Sequence, residues 1–221
     1  MIEHVYRRVI MSAAVDEAYI ATCDSEIRDS AEGFGAPVIM TADTHDRASD
    51  RVAEAARSIE SDLIVLVQGD EPMLIPESID QAVAPFRDDP DVRCVNLTKR
   101  IETEEEFLSR NTIKVVMDRD WNAIYMSREP IPTLRKEGIK ASMTYKQVCI
   151  IPFRPEALAE YAALPPTPLE IHESIDMLRF IESGRKVRMV ETNFETYAVD
   201  TQEDLDRVEA LMANDKLAAS Y

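Results

Sequence analysis

Features that would place a protein in a membrane or outside the cell are scarce in this chain. No apolar run approaches the roughly 20 residues that a membrane-spanning helix requires. The first residues, Met1 to Val5, lack the basic and then apolar pattern of a signal peptide. The only three cysteines, Cys23, Cys94 and Cys149, are far apart and lack the spacing of a metal site. These absences predict a cytoplasmic protein with reduced cysteines and no membrane insertion.

Basic residues are also few, because 25 lysines and arginines stand against 42 acidic residues, for a net charge of −17. This charge would repel a nucleic acid, and the sequence contains no basic stripe with interleaved aromatic residues. Nucleic acid is therefore excluded as a partner. A small anionic substrate would need local cations or a metal ion at its site.

What the chain does contain is a regular alternation of short apolar segments with helical patterns. With 221 residues, of which 45% are hydrophobic, it is long enough to bury the core of one large domain. The alternation predicts an α/β fold whose sheet is parallel at its centre. Strands are predicted at 18–23, 37–41, 63–67, 92–98, 113–117, 123–126, 148–151, 187–190 and 197–199, and helices at 2–13, 24–33, 49–59, 76–86, 168–183 and 201–213.

The segment from Leu63 to Pro72 is the most informative part of the chain. Leu63 to Val67 are apolar and mostly β-branched, which is typical of a strand buried on both faces. Gly69 then frees the backbone, and Pro72 prevents further strand pairing. In open α/β sheets, ligands bind beyond the carboxyl ends of the strands. Asp70 is therefore placed to hold Mg²⁺ together with substrate phosphates, although an ordinary polar turn is the alternative interpretation.

A second acidic residue, Asp200, follows the apolar Tyr197 to Val199, where another strand end is predicted. One interpretation is local: Asp200 caps the following helix, with Glu203 three residues later as in a capping box. The other interpretation is functional, because carboxylates from two strand ends can hold one Mg²⁺ and leave positions for phosphate oxygens. The presence of Asp70 at a different strand end favours the metal site.

The sequence Gln68-Gly69-Asp70-Glu71-Pro72 resembles a motif of the sugar-acid cytidylyltransferases, in particular the 3-deoxy-manno-octulosonate (Kdo) cytidylyltransferases. The resemblance covers nearly all 221 residues and follows the family's order. The other matching segments are Met1 to Tyr6, Asp50 to Glu54, Lys114 to Val116, Ser127 and Arg128 with Ile131 and Pro132, Pro168 to Glu170, Val199 to Thr201, and Glu203 to Leu205. Each segment is weak evidence alone, but the series is hard to obtain by chance.

The resemblance implies the fold of the nucleotide-diphospho-sugar transferases, a Rossmann-like three-layer α/β/α arrangement with a mixed sheet. It also implies a single domain over 1–221, in which 110–150 is a strand-rich insertion and the candidate interface of a homodimer. The implied activity is Mg²⁺-dependent transfer of CMP from CTP to the anomeric hydroxyl of a 2-keto sugar acid, with release of pyrophosphate. That activity would belong to lipopolysaccharide or capsule biosynthesis.

The family's functional residues have counterparts in this chain. Asp70 and Asp200 would hold Mg²⁺ against the α-phosphate and the sugar carboxylate, and Gln68 would orient the acceptor. Arg51, with Gln68 and Asp70, resembles the set that holds the nucleotide, although Arg51 is equally well explained as a surface helix residue. Arg128 and Lys114 are weaker candidates for anion contacts, and each is also explained as a strand-end surface charge.

The acceptor pocket departs from the family. Where the family has Lys-His-Leu-Gly-Ile-Tyr-Ala-Tyr, this chain has Gln147, Cys149 and Ile151 in place of the histidine, the glycine and the first tyrosine. Downstream, the family's Glu-Gln becomes Asp176-Met177. Because an apolar residue cannot replace a hydrogen bond to a hydroxyl, these changes predict an acidic acceptor with fewer or differently placed hydroxyls than Kdo.

The chain also departs from the family at its front and at Arg47-Ala48-Ser49, where the family has Ser-Gly-Thr. Family members begin with a strand and a basic loop, Ala-Arg-x-x-Ser-x-Arg-x-Pro-Gly-Lys, which grips the triphosphate. The sequence as given starts after that loop, so we expect an exposed core edge, weak CTP binding and poor turnover. A second hypothesis is a non-catalytic relative that binds a nucleotide or sugar, or acts as an interaction subunit.

Overall fold

Strands and helices alternate along the chain in the computed structural model, which describes residues 1–221. The strands are β1 (Ile20–Thr22), β2 (Val38–Met40), β3 (Ile64–Val67), β4 (Val95–Arg100), β5 (Lys114–Met117), β6 (Ala123–Ser127), β7 (Tyr145–Val148), β8 (Ile150–Phe153) and β9 (Arg188–Glu191). The helices are α1 (Ile2–Val9), α2 (Ser25–Gly33), α3 (Ala48–Ala56), α4 (Pro76–Val83), α5 (Pro85–Asp88), α6 (Glu104–Leu108), α7 (Pro155–Ala163), α8 (Pro168–Glu173), α9 (Met177–Glu182) and α10 (Gln202–Met212). None of the helices combines the length and apolar character that crossing a bilayer demands.

Backbone pairing divides the strands into three groups. β1 and β2 are parallel, and β3 pairs antiparallel with β8. The other strands form a mixed sheet in the order β6, β5, β7, β4, β9, in which β4 and β9 are parallel. Only Cys149 separates β7 from β8, so these two strands run in the same direction. Because β3 is antiparallel to β8 and β4 is antiparallel to β7, β3 is parallel to β4 and to β9. The carboxyl ends of β3 and β9 consequently lie at the same edge of the fold.

The main core lies between the five-stranded sheet and helices α7 and α9. It is a cluster of 16 buried residues. At its centre the rings of Phe153, Tyr161 and Phe180 contact one another, with centroids 5.4 to 6.5 Å apart. Because aromatic side chains bury a large apolar area, this cluster supplies much of the stability of the fold. The cluster beside β1 and β2 is far smaller, with Ile20, Ala31 and Ala36 as its only buried members.

A cleft of about 900 Å³ lies between β1 and β3. β1 pairs with β2 alone and β3 pairs with β8 alone, so each strand has one unpaired edge. Both strands line the cleft, together with mostly apolar residues of α1, α3 and α4. The prediction that Leu63 to Val67 is buried on both faces is therefore wrong. Only Leu66 is fully buried, because the cleft leaves its neighbours partly open.

Local backbone chemistry explains where other predictions fail. The helix predicted at 168–183 is two helices, because Ser174 ends α8 with φ of 54°. Pro85, which cannot continue a helical hydrogen-bond ladder, divides the helix predicted at 76–86. No strand forms at 197–199, and the strand predicted at 148–151 is the junction of two strands.

Other local predictions are confirmed. Asp24 caps α2 by accepting hydrogen bonds from the N–H groups of Glu26 and Ile27. The two strands predicted around a tight polar turn form the β5–β6 hairpin, in which Trp121 adopts φ of 60°. The overall prediction of a mixed α/β sheet is also correct, but the sheet is not parallel at its centre, because β7 is antiparallel to both β4 and β5.

Candidate active site

Asp70 lies just beyond β3, at the carboxyl edge of the fold. Its carboxylate oxygen Oδ1 is buried and has no hydrogen-bond partner. Partial burial, and then the negative charge of Asp200, raise the pKa of Asp70 above its ordinary value. A buried carboxylate oxygen is costly unless a donor or a cation reaches it. Asp70 is therefore suited to bind a cation.

The backbone brings Asp200 to the same place. The N–H of Val199 donates a 2.9 Å hydrogen bond to the carbonyl oxygen of Asp70, which joins the two segments directly. The capping interpretation of Asp200 is wrong, because Thr201 caps α10 and Asp204 completes the capping box. Asp200 is therefore an exposed carboxylate beside Asp70 with no role in starting the helix.

A metal ion at this edge would have Asp70 and Asp200 as its only protein ligands. No group of three or more histidine, cysteine or acidic side chains has the arrangement of a metal site. Mg²⁺ is commonly bound through one or two carboxylates together with substrate phosphates and waters. The unpartnered Oδ1 of Asp70 and the neighbouring Asp200 fit this mode of binding. The donor set therefore suits Mg²⁺ shared with a phosphate-bearing ligand.

Glu71 is a buried acid at this edge that the sequence analysis missed. Burial, and then the charge of Asp70, raise the pKa of Glu71 to about 7, although Lys146 and the N–H of Cys149 oppose the shift. A substantial fraction of Glu71 is therefore neutral near pH 7, which limits repulsion from Asp70. The only signal in the sequence was its place between Asp70 and Pro72 at the end of an apolar strand.

Gln68 and Arg51 both line the cleft beside Asp70. The guanidinium of Arg51 donates to the hydroxyl of Thr41 at 2.6 Å and to the carbonyl of Ala42 at 3.3 Å. These bonds fix the loop between β2 and α3. Arg51 therefore has a structural role here, and its contact with a nucleotide stays a prediction.

Lys114 and Arg128, the two residues suggested for anion contacts, are bonded to backbone carbonyl groups. Lys114 is fully buried, and its Nζ donates to the carbonyls of Ser109 at 2.8 Å and Thr112 at 2.7 Å. The Nε of Arg128 donates to the carbonyl of Glu173 at 2.8 Å. Both side chains hold loops together, and that role accounts for them without a ligand.

The residues predicted to contact the acceptor fall in different environments. Ile151 and Met177 are buried in the main core, so neither presents a surface to a ligand. Their presence is explained by packing. Gln147 is half-buried on β7, and its Nε2 donates to Oδ1 of Asn96 at 2.6 Å.

Asp176 lies close to the acidic edge. Burial is the main cause that raises the pKa of Asp176. Burial also raises the pKa of the Cys149 thiol, and charges of Glu71, Asp70, Asp176 and Asp200 add to the effect. All four carboxylates therefore lie near enough to this thiol to act on its pKa. Asp70 and Glu71 are neighbours in the sequence, and the fold brings Asp176 and Asp200 to them.

A buried ion network behind this edge was also missed. The guanidinium of Arg179 donates to both carboxylate oxygens of Asp50 at 2.7 and 2.9 Å and to both of Glu170 at 2.7 and 2.8 Å. It also lies 4.3 Å from the ring centroid of Tyr161. This network joins α3 to α8 and α9. An arginine within the apolar run of α9 was the available signal.

The acids lie beyond the carboxyl ends of the strands, where ligands bind in α/β proteins. A family model described as cytidylyltransferase matches residues 1–191. The chain therefore belongs to the cytidylyltransferase family, as its motifs predict.

Named relatives and a solved structure agree with this assignment. The 3-deoxy-manno-octulosonate cytidylyltransferase of Pelobacter propionicus is 44% identical over 214 residues, which are 93% of this chain and 84% of that protein. The enzyme of the same name from Geobacter metallireducens is 41% identical over 217 residues, covering 94% and 85% of the two chains. The structure of CMP:2-keto-3-deoxy-manno-octonic acid synthetase complexed with CTP aligns with a TM-score of 0.88 and 35% identity, over 96% of this chain and 87% of that one.

Proposed function

We propose that this chain transfers CMP from CTP to the anomeric hydroxyl of a 2-keto sugar acid of the Kdo type, with release of pyrophosphate, in a Mg²⁺-dependent reaction. The observation that carries the proposal is the unpartnered carboxylate oxygen of Asp70 beside Asp200. The relatives support the substrates, since they are named for Kdo and one was solved with CTP.

The chemistry requires charge neutralisation more than covalent catalysis. Attack of the sugar hydroxyl on the α-phosphorus places negative charge on the non-bridging and leaving oxygens. Mg²⁺, when bound, supplies the compensating positive charge, and Asp70 and Asp200 are the residues that would hold it. Gln68, directly after β3, would donate an amide hydrogen bond that orients the acceptor. The raised pKa of Glu71, about 7, lowers the average negative charge that a triphosphate meets at this edge near neutral pH.

The acceptor side of the proposal involves Gln147 and Asp176. Gln147 and Asp176 stand where the family has histidine and glutamate, and side chains of different length and donor groups offer their hydrogen bonds at different positions. We therefore expect an acceptor that keeps a carboxylate for the metal and has fewer or differently placed hydroxyls than Kdo.

Pyrophosphate release from CTP, measured with Mg²⁺, Kdo and a panel of other 2-keto acids, tests the proposal. Asp70→Asn and Asp200→Asn are each expected to lower kcat about 100-fold or more, the scale of losing a group that stabilises transition-state charge. Asp206→Asn is the matched control, because Asp206 is an exposed acid on α10 that accepts only from Gln202. Retention of most activity in either Asp70→Asn or Asp200→Asn contradicts the shared metal site.

CTP binding is measured separately by calorimetry on the same 221-residue chain. We expect weak binding in metal-free buffer, because the negative charges of this edge repel the phosphates. A micromolar dissociation constant without a divalent cation would show that other residues hold the phosphates. The acceptor panel addresses specificity, since turnover of Kdo far above all other 2-keto acids would refute the predicted change of acceptor.

The proposal includes a homodimer formed through the insertion at 110–150. Two large apolar side chains within it, Ile124 and Met143, are well exposed, which is typical of a surface that another chain covers. Sedimentation velocity of the unmodified chain tests this, and a monomer at micromolar concentration would contradict it.

A further inference from the structure

Helix α10 leads away from Asp200 and is attached to the rest of the molecule by few contacts. Val208 is the only buried side chain among its 11 residues. A helix with so little buried apolar surface takes its position mainly from the contacts at its two ends. At its N-terminal side, that contact is the hydrogen bond from the Val199 N–H to the Asp70 carbonyl.

The other end of α10 is held by Arg8, a residue of α1. Arg8 has no exposed surface. Its Nη2 donates to the carboxylate of Asp215, three residues beyond α10, and its Nε donates to the hydroxyl of Tyr221 at 3.1 Å. The far end of the helix that starts beyond Asp200 is therefore bound to a buried guanidinium.

The same guanidinium also contacts the segment that carries Asp70. Its Nη1 donates to the carbonyl of Leu74 at 3.2 Å. Leu74 is tied to the acidic turn, because its N–H donates to the carbonyl of Glu71 at 3.1 Å. One side chain thus links the turn after β3, which carries Asp70, with the far end of α10, the helix whose first residues follow Asp200.

We propose that Arg8 is a positioning residue that fixes the separation of Asp70 and Asp200, and thereby sets the affinity of the pair for a divalent cation. Arg8 is fully buried and bonded, so it acts through these segments and does not touch the substrate. A planar guanidinium donates in three directions at once, which the single ammonium of lysine cannot do with the same geometry. The inference rests on the proposed function through the metal site.

The experiment compares Arg8→Met with Arg179→Met, since each substitution removes a buried, fully bonded guanidinium. The first readout is hydrogen exchange of the Val199 amide in metal-free protein, relative to the amides of β4. The second is Mn²⁺ affinity measured by electron paramagnetic resonance. Arg8→Met is expected to speed Val199 exchange at least tenfold beyond any change in β4. It is also expected to weaken Mn²⁺ binding about tenfold or more, the range seen when support around metal ligands is lost.

Arg179→Met is expected to change neither quantity, although it destabilises the fold. Asp215→Asn serves as a milder variant should Arg8→Met not fold, and the same shifts are expected in smaller measure. Unchanged Val199 exchange and unchanged Mn²⁺ affinity in a folded Arg8 or Asp215 variant overturn the inference, as do equal effects from Arg179→Met. Failure of the unmodified chain to bind Mn²⁺ counts against the proposed function, while Val199 exchange still decides the role of Arg8.

Discussion

The two sides of the cleft are built very differently. On one side, β3 to β9 enclose a core of 16 buried residues and pair over antiparallel and parallel ladders of four residues. On the other side, β1 and β2 pair over three residues each, and only three buried residues support them. α3 packs against both sides.

This difference indicates which functional elements are preorganised. Asp70 follows β3 and Asp200 follows β9, so both acids belong to the well-packed side. The cleft and β1 contribute nothing to the hydrogen bond that joins the two acidic segments. We therefore expect the carboxylate pair to keep its geometry even when the β1–β2 side fluctuates. The nucleotide contacts predicted for Arg51 are more exposed to such fluctuation, because its side chain is bonded to Thr41 and Ala42 just beyond β2.

The largest expected effect comes from breaking the ion network of the packed side. Arg179→Met removes both hydrogen bonds from the guanidinium to the buried carboxylate of Glu170, which keeps only the Thr167 N–H and Arg47 at 3.7 Å, and it removes the bidentate pair with Asp50. The expected loss is about 3–5 kcal/mol in the free energy of unfolding, measured by urea denaturation. Arg28→Met is the matched control on the β1–β2 side. The Arg28–Asp29 pair is exposed, so its loss should cause no detectable change in the free energy of unfolding. Equal losses in both variants would contradict the comparison.

The next effect concerns the acid buried at the end of β3. The pKa of Glu71 rises from 4.5 to about 7 on folding, so the folded state retains this proton more strongly than the unfolded state. The contribution of Glu71 to the free energy of unfolding is fully present below about pH 4.5 and is lost as the pH rises to about 7. The whole contribution is about 3 kcal/mol.

Glu71→Gln should remove that dependence. In metal-free buffer, urea denaturation of this variant should give a flatter profile of unfolding free energy between pH 4.5 and 7 than the unmodified chain. Glu26→Gln, at an exposed position of α2, serves as the control on the β1–β2 side. A Glu71→Gln profile parallel to that of the unmodified chain would show that Glu71 is not buried as described.

The smallest effect is a difference between two identical substitutions. Ile151→Ala removes a side chain from the main core, and Ile20→Ala removes one from the small cluster beside β2. Isoleucine-to-alanine changes in cores cost about 2–5 kcal/mol, and the cost falls where the site can relax. We expect Ile151→Ala to cost about 2 kcal/mol more than Ile20→Ala in urea denaturation. Equal costs, or the reverse order, would mean that the two sides are equally well packed.

Local patterns predicted the α/β class, most elements and the family, because helix caps, β-branched runs and ordered motifs are short-range signals. They did not predict the break at Ser174, where one residue in the left-handed region ends a helix whose apolar spacing continues. Nor did they predict that β3 has an open edge, because a strand that borders a cleft has the same apolar sequence pattern as a strand that is buried on both faces.

The residues of the candidate site also fall into those that local sequence patterns reveal and those that only the fold reveals. Asp70 and Asp200 were available from sequence, because each acid follows an apolar segment at a predicted strand end. Glu71, Arg8 and Arg179 were not, because their importance comes from burial and from partners distant in the chain. Conversely, Ile151 and Met177 matched positions of the family's acceptor pocket, and only the packing shows that they belong to the core.

The most direct test of the account is a Mn²⁺ titration of the metal-free chain, followed by electron paramagnetic resonance with and without CTP. The account predicts one divalent site whose affinity falls at least tenfold in both Asp70→Asn and Asp200→Asn and stays unchanged in Asp206→Asn. Equal Mn²⁺ affinity in the unmodified chain and in Asp70→Asn would contradict the shared carboxylate site.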